Sequence, residues 1–226
     1  MLAPEIDPQQ AAMLSINSPA AALLLEAFVT LNPGDWIVQN AANSGVGRAV
    51  IAFAKQKGVR TINIVRRSEL INELKETGAD VVLLAGPNTA AAANQATGGA
   101  LVRLALDGVG GDATGTLLEI VGWNAKIVCY AAPTREPIKV NPLGLVAKHA
   151  SIHPFFMYYP EHLPRIPEKI RAAAALVVGR QLRASIAAVY PARRFEQALA
   201  HALTGGKILL DFADGSGFDT EFVKQA

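Results

Sequence analysis

The segment with the most chemistry in it is short. Asn40-Ala41-Ala42-Asn43-Ser44-Gly45-Val46-Gly47 follows the apolar run Trp36-Ile37-Val38-Gln39 and precedes residues 48–57, in which Ala49, Val50, Ala52, Phe53 and Ala54 recur near helical spacing. A strand, a turn with little side chain and then a helix make an anion site, because the first N–H groups of the helix lack intrahelical acceptors. Ala42 and Ser44 stand at the first two glycine positions of a G-x-G-x-x-G pattern and Gly47 at the third. An ordinary strand-to-helix turn built of small residues is the alternative at this point. Nineteen residues beyond Gly47, where a carboxylate would grip the ribose of NAD, stand Arg66, Arg67 and Ser68. Two guanidiniums and a hydroxyl suit a 2′-phosphate through charge-assisted bonds, whereas a carboxylate would repel it. A solvated pair at a strand end is the alternative for the arginines. Taken together, the two segments favour NADP(H) over NAD(H).

The elements that would hold such a site alternate along the chain. Residues 11–29 read as helical, with a break expected at Ser18-Pro19. Strands are expected at 36–39, 61–65, 81–84, 102–106 and 125–130, and helices at 48–57, 69–77, 89–97 and 114–121. Strands apolar throughout and separated by helices indicate a parallel sheet covered on both faces, the doubly wound Rossmann-type α/β arrangement. After Pro133 six prolines between 137 and 167 break the pattern into short pieces. A helix at 168–179, a strand at 183–189, a helix at 193–203 and a strand at 207–210 complete the expectation. The division expected is a dinucleotide-binding domain over 1–180 and a C-terminal segment over 181–226.

Composition bounds the rest. Of 226 residues, 51% are hydrophobic and 18% charged, which excludes a disordered chain. One cysteine, Cys129, excludes a disulfide scaffold and a cysteine-rich zinc site, and is expected as a buried structural thiol. Twenty-one basic against 19 acidic residues give no global reason to expect nucleic acid or an anionic membrane as partner. No apolar stretch approaches the ~20 residues of a spanning helix, and the first residues lack a basic and then apolar leader pattern. A soluble intracellular chain is expected, cytoplasmic or, in a eukaryote, in the mitochondrial matrix. His149, His153, Glu161 and His162 do not show converging ligand spacing and are expected as surface or interface groups rather than a metal site.

Asn40 to Gly47, residues 60–67 and residues 104–111 resemble the medium-chain dehydrogenase/reductase superfamily, and within it the zinc-independent 2-enoyl thioester reductases of mitochondrial type. Asp7-Pro8-Gln9-Gln10-Ala11-Ala12, Leu31-Asn32-Pro33-Gly34-Asp35, Leu106-Asp107-Gly108-Val109-Gly110-Gly111 and Gly206-Lys207-Ile208-Leu209 carry the likeness further; residues 142–167 match poorly. The resemblance implies Asn17 at the mouth of the active site and a pyrophosphate turn of Asn43, Ser44, Gly45 and Val46. It implies Arg66, Arg67 and Ser68 at the adenosine phosphate, and a loop of Tyr130, Ala131, Ala132 and Pro133 beside the nicotinamide. Phe155, Phe156 and Met157 would hold the carboxamide and shape a homodimer interface, with Lys207 a further cofactor contact. Ala131 and Ala132 replace two glycines of the family loop and remove easy access to positive φ.

The resemblance also implies a GroES-like domain N-terminal to this start, supplying the catalytic tyrosine and most of the acyl pocket. No catalytic residue is therefore assigned within these 226 residues, and 181–226 is expected to return to that incomplete domain. The activity implied is NADPH-dependent reduction of the C=C bond of an enoyl-CoA or enoyl-ACP. A quinone or enone reductase of the same superfamily and a noncatalytic NADPH-binding module are the alternatives.

Overall fold

The computed structural model describes residues 6–213, which form two compact units that divide between Leu182 and Arg183. The first unit opens with two short helices, α1 (Pro8–Ala12) and α2 (Asn17–Leu24). There follow β1 (Trp36–Gln39), α3 (Gly45–Gln56), β2 (Arg60–Val65), α4 (Leu70–Glu76), β3 (Val81–Leu84), α5 (Thr89–Thr97), β4 (Val102–Asp107), α6 (Asp112–Ile120) and β5 (Lys126–Cys129). The unit closes with α7 (Pro142–Lys148), β6 (Ser151–Pro154) and α8 (Ile166–Val178). Its strands form one parallel sheet in the order β3-β2-β1-β4-β5-β6. This is the doubly wound order, and chain direction across the sheet reverses between β1 and β4.

Alternation along each strand explains why the sheet is covered twice. Ile37, Leu104, Leu106 and Val128 point to one face, into a core shared with α2, α3 and α8. Val38, Ile62, Ile64, Ala105 and Ile127 point to the other, into a core shared with α5 and α6. On the first face Glu26, just after α2, gathers Lys57, Arg165 and Lys169 from α3 and the region of α8. Burial works against its charge, but Lys169 and Lys57 outweigh that and hold its carboxyl below the usual range.

Several boundaries differ from the sequence expectation for identifiable reasons. The break near the N-terminus lies between α1 and α2, because Pro19 falls in the first turn of α2, where its missing N–H has no intrahelical role. Among the prolines after 133, Pro142 starts α7 behind the N-cap Asn141, and Pro154 ends β6; the sequence pattern had shown neither element. In the second unit β7 (Ala188–Pro191) pairs in parallel with β8 (Ile208–Asp211), joined by α9 (Phe195–Thr204). The strand expected at 183–189 is thus displaced to 188–191, since a strand extends only as far as a four-residue partner can pair with it.

One close approach sets the height of α3 above β1. The backbone of Gly47 lies so near Ala42 that a Cβ there would stand 2.5 Å from the Ala42 carbonyl oxygen. From below, Gln39 Nε2 donates to the Gly47 carbonyl at 2.9 Å and to Asn63 Oδ1 at 2.7 Å. Gly47→Ala is expected to destabilise the first unit by roughly 1–3 kcal/mol, as overpacking does. Urea unfolding of the variant measures it, and an unchanged midpoint would contradict this account of the contact.

Candidate functional site

The C-terminal ends of β1 and β4 diverge where the strand order reverses, and a cavity of about 620 Å³ opens there. Its walls come from five strand ends. Asn40, Ala41 and Asn43 follow β1, Val65 ends β2 and Arg66 follows it, residues 85–87 with Thr89 follow β3, and Gly108, Val109 and Asp112 follow β4. Pro133 and Thr134 close the side beyond β5.

The floor beneath it is a set of hydrogen bonds that the sequence pattern did not single out. Asp107 is fully buried; its Oδ1 accepts from Asn40 Nδ2 at 2.7 Å and from the N–H groups of Val109 and Gly110 at 3.0 Å each. Its Oδ2 accepts the Thr114 hydroxyl, and Asn40 Oδ1 accepts the Gly108 N–H at 2.7 Å. The loop after β4 is thereby fixed, with its donors turned inward.

Across the crevice, α3 begins at its N-cap Ser44, whose Oγ accepts the Gly47 N–H at 3.1 Å. The N–H groups of Gly45 and Val46 lie in the open first turn, where no intrahelical acceptor exists. Arg48 donates through Nε to the Asn43 carbonyl at 3.1 Å and pairs with Glu73 at 2.6 Å, bracing the turn from the α4 side. Ala41 adopts φ 48°, in the left-handed region, so the positive-φ position of this site is in the turn after β1. In the loop after β5 neither Ala131 nor Ala132 has positive φ, as expected of alanines in place of glycines, and Arg135 adopts φ 56°.

The structure brings together only part of the residue set expected from the sequence. Asn43, Arg66 and Pro133 line the cavity, and Ser44, Gly45, Val46 and Gly47 form the adjoining helix start. Asn17 packs against Gly45, where a Cβ would overlap its amide, so it supports the turn from α2. Arg67 does not line the cavity: it turns to Glu69 at 3.5 Å, while the Ser68 carbonyl accepts the Ile71 N–H. Among the described residues no carboxylate pairs with Arg66. Phe155 and Met157, just past the end of β6, are buried in the core shared with α2 and α8, Phe155 against Phe28 and His162, and only Phe156 is exposed. Ala131 and Ala132 are exposed, and Lys207 belongs to the second unit, where its carbonyl accepts the Ala187 N–H. The cavity walls after β3 and β4 were missed, although the rule that ligands sit at carboxyl ends of parallel strands points to them.

As a receptor the arrangement fits a dinucleotide carrying an extra phosphate. An open helix start would suit an anion, the close approach of Gly47 to Ala42 seats that start against the strand end, and among the described residues the Arg66 guanidinium, one strand away, pairs with no carboxylate. Cys129 lies beneath, its Sγ 3.8 Å from Asp107 Oδ2. Burial, then the charge and hydrogen bonding of Asp107, pushes its thiol up to about 12. As the single cysteine, it should react with iodoacetamide at pH 8 at least roughly a hundredfold more slowly than free cysteine, the thiolate being the reactive form. Alkylation at the free rate would show that the thiol is not held in this way.

The profile of the family described as zinc-binding dehydrogenase matches residues 45–178. The mitochondrial enoyl-[acyl-carrier-protein] reductase of Dictyostelium discoideum is 30% identical over 217 residues, covering 92% of this chain and 62% of that protein. Among solved structures, the 2-enoyl thioester reductase Etr1p of Candida tropicalis superimposes with a TM-score of 0.80 in its heterodimer with Etr2p and 0.79 in complex with NADP and crotonyl-CoA. Identity is 21% in both, over 90% of this chain and 62% of that one. A putative NADPH:quinone reductase from Bacillus thuringiensis superimposes at 0.81 with 20% identity, over 92% of this chain and 65% of that one. The chain thus spans less than two thirds of the length of each.

Proposed function

The chain belongs to the zinc-binding dehydrogenase family of the medium-chain dehydrogenase/reductase superfamily, and from that premise we propose that it is the NADP(H)-binding part of a reductase acting on the C=C bond of 2-enoyl thioesters. One observation carries the cofactor reading: the cavity at the strand reversal is flanked by the open start of α3 on one side and by the unpaired Arg66 on the other. The Gly45 and Val46 N–H groups and the Ser44 turn would take the diphosphate, and Arg66 the 2′-phosphate. Bound there, NADPH supplies a hydride. The chain's own share is to orient the dinucleotide and to keep water from it with the walls after β4 and β5.

The thioester substrate rests on the enoyl reductase relatives and on the crotonyl-CoA bound to Etr1p. In the same proposal the proton donor and acyl pocket come from outside this chain, and residues 181–226, of which 214–226 lie outside the described residues, return to that second domain. A homodimer through the edge of β6, which among the described residues pairs only with β5, completes it. The relatives named as mitochondrial support a matrix location in a eukaryotic source.

Titration with NADPH and NADH tests the cofactor reading. NADPH is expected to bind more tightly, and Arg66→Ala to weaken it by about 1.5–3 kcal/mol, the value of a charged hydrogen bond, with NADH unchanged. Arg67→Ala, in an exposed ion pair, should cost less than about 1 kcal/mol for either nucleotide. Equal affinity of the unsubstituted chain for both nucleotides would overturn the 2′-phosphate assignment. Crotonyl-CoA reduction by the 226 residues alone is expected to be about 10²–10⁴-fold slower than a reductase with its own acid, and unimpaired turnover would refute the division of labour.

A further inference from the structure

Arg48 stands where its charge is least at home. It is the fourth residue of α3, at the helix end that favours anions, where a cation gains nothing from the backbone dipole. The fold nevertheless holds it closely. Its side chain is only 15% exposed, Nε donates to the Asn43 carbonyl at 3.1 Å, and Nη2 donates to Glu73 Oε1 at 2.6 Å.

Its partner is as unexpected as the arginine. Glu73 lies in the first turn of α4, half-exposed, and Arg48 links it to Asn43, which lines the same cavity as Arg66. A carboxylate is therefore held one side chain away from a crevice whose open helix start suits phosphate. Docking of α4 does not need that charge, because Leu70 and Leu74 share a core with Ile51 of α3. The segment carrying Arg66 is in turn fixed to α4: the N–H groups of Leu70 and Ile71 donate to the carbonyls of Arg67 and Ser68. Arg67 takes Glu69 and Arg48 takes Glu73, so both acids of residues 66–73 are occupied and Arg66 is left to the cavity.

We propose that Arg48 is a positioning residue that sets the nucleotide preference of the crevice: it occupies Glu73, and so keeps a carboxylate from opposing the extra phosphate that Arg66 takes. The inference rests on the NADP(H) reading above and deepens it. The second bond of Arg48, to the Asn43 carbonyl, holds the guanidinium between the turn and α4, so its charge stays on Glu73. A carboxylate left unpaired there repels a 2′-phosphate and competes for Arg66, whereas a nucleotide with a 2′-hydroxyl has no charge at that point to be repelled. The preference therefore follows the net charge of the Arg48 and Glu73 pair, which is zero as the chain stands.

The test compares NADPH and NADH affinities at low ionic strength in three variants whose pair charge differs. Arg48→Met removes the cation and keeps most of the stem; NADPH should bind roughly five- to tenfold more weakly, with NADH changed by less than about twofold. Adding Glu73→Gln to that variant should bring NADPH back to within about threefold of the unsubstituted chain. Glu73→Gln alone leaves the Arg48 charge unopposed and should tighten NADPH by roughly two- to fivefold. Raising KCl should shrink all three differences, because salt screens charges near the surface. If Arg48→Met weakens both nucleotides alike, or if Glu73→Gln fails to restore NADPH in the double variant, the arginine acts only by supporting the turn and the proposal is overturned. Should Arg48→Met not fold, Glu73→Gln alone decides: tighter NADPH with NADH unchanged supports the proposal, and unchanged or weaker NADPH overturns it. A lack of NADPH preference in the unsubstituted chain is a separate result, which removes the 2′-phosphate reading and this inference with it.

Discussion

The carboxylate of Asp107 is the point on which the rest of the site depends. β1 and β4 are neighbours, but the chain leaves them in opposite lateral directions, so their ends have no shared continuation to hold them together. Asp107 supplies it by taking Asn40 from β1, two N–H groups from its own loop and the Thr114 hydroxyl from α6. A buried carboxylate is tolerable only when its lone pairs are filled, and here the filling is what ties the three segments. The crevice between them stays open because its two rims are bonded below it.

That arrangement divides the chemistry of the rims. With its N–H groups turned toward Asp107 and Asn40, the loop after β4 has little to offer an anion. The start of α3 has the opposite character, and its position is set by a ladder of polar side chains running under it. Gln39 bonds Gly47 and Asn63, Asn63 bonds Thr61 and the Val81 carbonyl, and Asp80 accepts the Thr61 N–H. Gln39, Asn63 and Thr61 sit inside strands that are otherwise apolar, Asp80 stands just before β3, and together they hold the helix start at a fixed height over the strand ends.

Electrostatic work is similarly shared out among arginines that look alike in the sequence. Arg48 is engaged with Asn43 and Glu73 and braces the turn, Arg67 is drawn off by Glu69, and Arg66 alone of the three lines the cavity. Which guanidinium is available to a ligand is thus settled by where acidic partners on α4 and its approach happen to lie.

Much of the framework could be read directly from residue order. The alternation of short apolar runs with helical spacing, the glycine at position 47 and the small residues of 40–46 specify a parallel sheet with a helix start at its first strand, since these are local patterns with local causes. The strands at 36–39 and 81–84 and the helix at 89–97 came out with their observed limits for that reason. The edge strand β6, the inward turn of Phe155 and Met157, the withdrawal of Arg67 and the network around Asp107 were not legible. Each depends on a partner far away in sequence: β6 on β5, Asn40 on Asp107 sixty-seven residues later. Local periodicity decides which elements exist, but hydrogen-bond partnership across the fold decides which polar groups remain free to meet a ligand, and only the assembled sheet can make that choice.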